Sequence, residues 1–163
     1  MSYFTAVLAR QGRTWSAHAL DVEAVGDLAE LATQLRIVVA DDAPVLLLVE
    51  REDAWWGVVR VDGEEDPRVF VSDAAGVAAS PYAAILDVVA FATDPAVEAE
   101  EDDDDENEAV PAGACAGDLD VLEDLGTSSE DLQEMCDDEV LPMDALAAVA
   151  EGAGFAEVLD SLR

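Results

Sequence analysis

Apolar and polar positions divide the chain into stretches of period two, stretches of helical period, and one stretch with neither. YFTAVLA (Tyr3 to Ala9) and TWSAHAL (Thr14 to Leu20) flank Arg10-Gln11-Gly12-Arg13, a polar link with Gly where a tight turn needs one, and predict a β-hairpin. Asp27 and Glu30 have capping-box spacing, and Leu28, Leu31, Ala32 and Leu35 follow at helical intervals, so a helix is expected from about Asp27 to Arg36. After the break at Asp41-Asp42-Ala43-Pro44, the continuously apolar VLLLVE (Val45 to Glu50) reads as a central strand. AWWGVVRV (Ala54 to Val61) and RVFVS (Arg68 to Ser72) complete a three-stranded meander. Ser80-Pro81 is an N-cap with Pro at the first helical position, and Tyr82, Ile85, Leu86 and Val89 give the stripe of a second helix ending near Ala92. The order ββαβββα predicts an α+β fold, a mostly antiparallel sheet with two helices on one face.

The pattern shortens after residue 116. Asp118 is placed to cap a turn or two carrying Leu119, Leu122 and Leu125, with Gly126 as the stop. Thr127 and Glu130 repeat the capping-box spacing ahead of Leu132, Met135 and Cys136. Pro142 opens a helix with Leu146, Val149 and Ala150, closed by Gly152, and Phe155, Val158, Leu159 and Leu162 supply a last one. Helices this short are marginal alone, so their stripes must pack on one another, on the sheet or on a partner. No internal repeat is evident.

Charge sharpens these divisions. Residues 1–93 carry 15 acids against six Arg, whereas 94–163 carry 24 against one. DPAVEAEEDDDDENE (Asp94 to Glu108) repels itself in any compact arrangement, and Val110-Pro111-Ala112-Gly113 continues it without period. Three parts are therefore expected: an α+β sheet domain at 1–93, an acidic disordered linker at 94–116, and a small all-α region at 117–163. The 163 residues have net charge −32, yet a hydrophobic fraction of 52% and a mean hydropathy of +0.15 leave enough apolar surface to fold. A charge of that sign repels phosphate backbones and anionic lipid, which argues against direct nucleic-acid or membrane-surface binding and favours a basic protein partner. All seven basic residues are Arg. The N-terminal segment lacks the features of a secretory signal, and Val45 to Val49 is too short to span a bilayer, so a cytoplasmic protein is expected.

Few residues offer chemistry. With 39 acids, close carboxylate pairs arise by chance and do not indicate acid–base catalysis. His18 shares a strand face with Thr14 and Ser16 if Trp15, Ala17 and Ala19 face inward, and no nucleophile motif such as G-x-S-x-G accompanies it. The chain has no Lys, hence no Walker-type loop, and no G-x-G-x-x-G follows a strand. Counted as a calcium loop from Asp103, the acidic run puts Glu108 where Gly is required and Ala114 where the bidentate Glu belongs. Cys115 and Cys136 form no C-x-x-C and are read as reduced thiols. No catalytic residue, cofactor or metal site is expected. The candidate partner-binding residues are the acidic run Asp102, Asp103, Asp104, Asp105 and Glu106, the aromatic pair Trp55 and Trp56, and Leu132 with Met135 on a helical stripe. Trp55 and Trp56 fall on opposite strand faces, one in the core and the other at the surface or under the C-terminal helices.

Taken together, YFTAVLARQGRTW, PVLLLVERED, VRVDGEEDPRVFVSDAAG, SPYAAIL, AGDLDVLEDLGTSSEDLQEMCDDE and AGFAEVLDSLR resemble the actinobacterial tRNA adenosine deaminase-associated proteins. The resemblance covers nearly everything outside the linker. It implies an accessory, non-enzymatic role beside a tRNA-specific adenosine deaminase, with no catalytic residues to carry over. A zinc deaminase itself needs H-x-E and P-C-x-x-C, whereas His18 precedes Ala19-Leu20 and neither Cys has such a partner. The acidic chain would dock on the basic RNA-binding surface of such an enzyme, its linker competing with or gating RNA. The alternative is an antitoxin-like or nucleic-acid-mimicking binder of an unrelated basic protein, because TAVLARQGRTWSAHALD leading into DLAELATQLR is similar to the small HicB-type antitoxin module, though the later strands and helix do not belong to it.

Overall fold

The computed structural model describes residues 3–18, 24–38, 43–51, 54–63, 67–80, 82–86, 115–138 and 140–162. The expected hairpin is β1 (Tyr3–Gln11) and β2 (Thr14–His18), paired from Gln11↔Thr14 with Gly12 at φ 65° in the two-residue link. Helix α1 (Leu28–Val38) follows Asp27, whose carboxylate accepts from the Glu30 amide at 2.8 Å while the Glu30 side chain accepts from the Gly26 amide. Each of the two acids thus satisfies one backbone donor at the start of the helix. Strands β3 (Pro44–Arg51), β4 (Trp55–Asp62) and β5 (Arg68–Val71) form the meander.

Two short helices come next, α2 (Ala74–Ala78) and α3 (Ala83–Leu86). Helix α2 escapes a reading based on hydrophobic period because it is barely more than a turn, yet Asp73 caps it by accepting from the Gly76 amide. Ser80 does cap the following turn, accepting from the Tyr82 amide at 3.1 Å. The expected continuation of that helix to Ala92, and the acidic stretch up to Ala114, lie outside the described residues.

Past that stretch the chain adds a sixth strand, β6 (Ala116–Gly117), which pairs Val71↔Ala116 and Phe70↔Gly117. A 3-10 turn at Glu123–Leu125 leads to α4 (Ser129–Asp137), α5 (Pro142–Ala153) and α6 (Ala156–Leu162). The cap of α4 is Ser128 with Asp131, one position beyond the expected Thr127 and Glu130. Thr127 is instead buried, its amide donating to the Leu122 carbonyl. Helix α5 runs through Gly152 to a left-handed Gly154 at φ 97°, where the Gly154 and Phe155 amides both return to the Ala150 carbonyl.

The sheet is antiparallel throughout, in the order β2-β1-β3-β4-β5-β6. Alternation sends Val45, Leu47, Val49, Trp55, Val59, Val69 and Val71 to one face, under α1, α2 and α3. Leu46, Leu48, Trp56, Val58 and Phe70 go to the other, under the 3-10 turn and α4 to α6. The continuous apolar run of β3 is thereby explained: both of its faces are covered. Trp15 fastens the second layer at the β2 edge, donating from its indole to the Ala153 carbonyl at 3.1 Å with its ring edge-on to Phe155.

Where the 3-10 turn meets α5, Gly126 has φ 102° and its backbone lies against Gly152, so an added Cβ would collide with the Gly152 carbonyl. Gly126→Ala is therefore expected to destabilise the protein by about 2 kcal/mol or more, through left-handed strain and loss of this close approach. Urea denaturation checks this, and an unchanged midpoint would contradict the assigned packing.

Candidate partner-binding surface

The proposed apolar anchors are not at the surface. Trp55 lies on the α1 face with its ring 6.1 Å from Tyr3 and 6.2 Å from Tyr82, and its buried indole nitrogen has no hydrogen-bond partner among the described residues. Trp56 lies on the opposite face against Phe70, beneath the C-terminal helices. Both are 1% exposed. Leu132 is fully buried, and Met135 is half-buried against the same cluster. A central strand covered on both faces leaves neither tryptophan free, and the stripe of α4 closes the core rather than facing outward. Asp102, Asp103, Asp104, Asp105 and Glu106 lie outside the described residues.

What the C-terminal layer does present is charge. Every Asp and Glu among the described residues 115–162 is exposed, and no basic residue lies among them. They include Glu130, Asp131, Glu134, Asp137 and Asp138 on and just after α4, Asp144 and Glu151 on α5, and Glu157 and Asp160 on α6. Leu141 and Met143, at the start of α5, are the large apolar side chains exposed within this acidic surface, with Leu162 near the chain end. Partial desolvation of the Asp118 carboxyl, and then the charge of Asp120 beside it, push it above its ordinary value.

The acidic layer is held to the sheet by one buried cation. Arg60, on β4 and 5% exposed, donates to the Val121 carbonyl at 2.9 Å and bidentately to Asp124, the second arm at 2.9 Å. Its Nε lies 2.9 Å from Asp62, which also receives Arg68, the residue opposite Arg60 on β5. Asp62 therefore bridges two guanidinium groups that would otherwise repel across the strands. The hydrogen bonds from Arg60 hold the Asp124 carboxyl down to about 2, outweighing partial burial, and those to Asp124 raise Arg60 above its ordinary value in the same way. Nothing in the sequence marked Arg60, since a lone Arg among valines reads as an edge residue.

Remaining chemistry is dispersed. Ser16 Oγ and His18 Nε2 lie 2.9 Å apart on β2, and the same hydroxyl donates to the Ala9 carbonyl. Trp15 is buried as expected on the opposite strand face, but Ala17 is exposed because the helical cover stops short of it. Among the described residues no group of three or more His, Cys, Asp or Glu is placed to hold a metal, and no helix is long and apolar enough to cross a membrane. Cys115 and Cys136 are free, half-buried thiols at the margin of the second apolar cluster.

The model of a family described as "Rv3753c-like tRNA adenosine deaminase-associated protein" matches residues 3–156. No curated protein and no solved structure matches the chain.

The Asp124 carboxyl titrates lower folded than its ordinary 3.8, so the Arg60 pair contributes fully above about pH 4 and is lost as pH falls to about 2. Asp124 is mostly exposed, and solvent screening limits the contribution to about 1 kcal/mol. Denaturation of the protein and of Asp124→Asn should differ by about that amount at pH 7 and converge near pH 2. A difference that persists at low pH would mean that the substitution acts through packing.

Proposed function

The chain belongs to the tRNA adenosine deaminase-associated family, and we propose that it is a non-catalytic accessory protein that docks on a basic surface of a tRNA-specific adenosine deaminase in the cytoplasm. The observation that carries this reading is the outer face of the C-terminal layer, where the described carboxylates other than Asp124, which Arg60 holds, are exposed without an ion pair among the described residues, and no Arg or Lys lies among the described residues 115–162. Such a surface attracts a basic protein and repels RNA, so the contact is with the enzyme rather than with its substrate. The acidic stretch before β6 adds to the same field.

A non-catalytic role is supported by where the fold sends the groups a zinc deaminase would gather round one metal. His18 is on β2 at one edge of the sheet, whereas Cys115 directly precedes β6 at the other. A surface that binds RNA-reading arginines and lysines competes with tRNA for them, which gives the accessory protein a direct means of gating access to the enzyme.

Titration calorimetry with a tRNA adenosine deaminase is expected to show saturable binding that weakens roughly tenfold or more between low and physiological salt. Asp144→Lys combined with Glu151→Lys, two turns apart on the outer side of α5, should weaken it by a similar factor without unfolding the protein. Absence of binding at micromolar concentration would overturn the proposal. Saturable binding that is indifferent to salt would move the interface to the apolar residues Leu141 and Met143.

A further inference from the structure

The outer side of α5 departs from its neighbours. Exposed positions on α4 are all polar, Glu130, Asp131, Gln133, Glu134 and Asp137, whereas α5 and its cap expose Leu141, Met143, Ala147 and Ala148 alongside Asp144 and Glu151. Leu141 is 51% and Met143 53% exposed, so half of each side chain stays outside the core. Leu141 is moreover the N-cap of α5, a position that favours Ser, Thr, Asp or Asn, and it makes no side-chain cap hydrogen bond. Met143 follows in the first turn, with a flexible thioether of the kind that adapts to a partner's shape. A cap is forgone and two large apolar side chains are left in water, with no return to the fold, which is the mark of residues placed for an outside contact.

We propose that the outer side of α5 is the seat of a basic amphipathic helix of the partner; this rests on the reading of the acidic layer as a docking face and names the segment that the face takes. The backbone donors of α5 are spent within the helix, so an occupant is recognised through side chains, as when one helix is laid along another. Leu141 and Met143 supply the raised anchors at one end, and Ala147 and Ala148 keep the middle low, which lets a second helix approach closely. From Leu141 to Glu151 the face is about 15 Å long, nearly three turns, so the occupant presents apolar residues at i, i+3 or i+4, and i+7. Charge sets its flanks. Asp137 and Asp138 come just before Leu141, Asp144 and Glu151 lie along the helix, and no Arg or Lys lies among the described residues 115–162. Arg and Lys beside the apolar stripe answer those carboxylates, whereas an acidic helix or a second copy of this face would bring like charges together.

The test titrates the native full-length protein with two synthetic peptides of leucine and lysine, four helical turns long and identical in composition. One carries its leucines along a single helical face, and the other has them spread round the helix. The amphipathic peptide is expected to bind saturably, gain helicity by circular dichroism, shift the amide resonances of residues 141–152, and bind roughly tenfold or more tightly than its isomer. Leu141→Ser combined with Met143→Ser should weaken it by a similar factor without lowering Tm, because both side chains are exposed and the first substitution supplies the missing cap. Equal affinity for the two peptides, resonance shifts centred elsewhere, or a double variant that binds as well as the native protein would overturn the proposal. Self-association of the native protein through the same two residues would do so too. The double variant also separates this seat from the accessory role. Salt-sensitive binding of the deaminase that the variant leaves intact would sink the seat alone, whereas a peptide seated on α5 beside an enzyme that does not bind would support the seat and remove the deaminase as partner.

Discussion

The structure depends on a sheet whose central strands are apolar on both faces. Val45, Leu47 and Val49 of β3 need cover on one side, Leu46 and Leu48 on the other, and β4 repeats the requirement with Trp55 and Val59 against Trp56 and Val58. Three helices follow from the first half of the chain and bury one face. The second face would expose a contiguous patch far larger than soluble monomers tolerate, so the residues after the acidic stretch must return to it. Their short helices gain from the sheet the stability they lack alone, and β6, the Trp15 indole and the Arg60 guanidinium fix where they sit.

That arrangement also sorts the charge. A chain with 39 acids and seven Arg cannot pair most of its carboxylates, so it must turn them outward, and in the C-terminal layer the described ones do so apart from Asp124, which turns to Arg60. One of the few cations is withdrawn into the interior. Arg60 is tolerated there because Asp62, Asp124 and the Val121 carbonyl answer its donors, and the geometry of a guanidinium lets one side chain hold two acids and a carbonyl at once. The pair of buried Arg60 with exposed Asp124 gives position more than stability, registering the acidic layer on β4.

Elements carried by local pattern were legible in the sequence. The hairpin, the capped α1, the meander and the Pro142 start of α5 follow from alternation, helical spacing and turn residues within a few positions. Signals of a turn or less were not. Helix α2 and the two-residue β6 lack room for a period, and the shift from Thr127 to Ser128 as the cap of α4 depends on Thr127 being drawn inward. Candidate site residues fared by the same logic. A strand pattern shows that Trp55 and Trp56 face opposite ways, but only the return of the C-terminal helices shows that both faces are occupied. Arg60 with Asp124 and Trp15 with Ala153 are meetings between distant segments, which no local pattern records.

A surface of like charge attracts many basic partners and distinguishes poorly among them, since long-range attraction speeds encounter more than it selects. Selectivity needs contacts that fit only when shape agrees, and the acidic layer has few apolar side chains with which to make them: Leu141 and Met143 at the start of α5, and Leu162 near the end of α6. Their placement on a layer clipped at Trp15, Arg60 and β6 means that they are offered on a rigid frame rather than on isolated short helices. Ordering that surface before contact lowers the entropy cost of binding, which matters most where attraction is screened by salt and the apolar area is small. The two-sided sheet thus serves the acidic face directly, because it holds in one place charges that would otherwise drive the short helices apart.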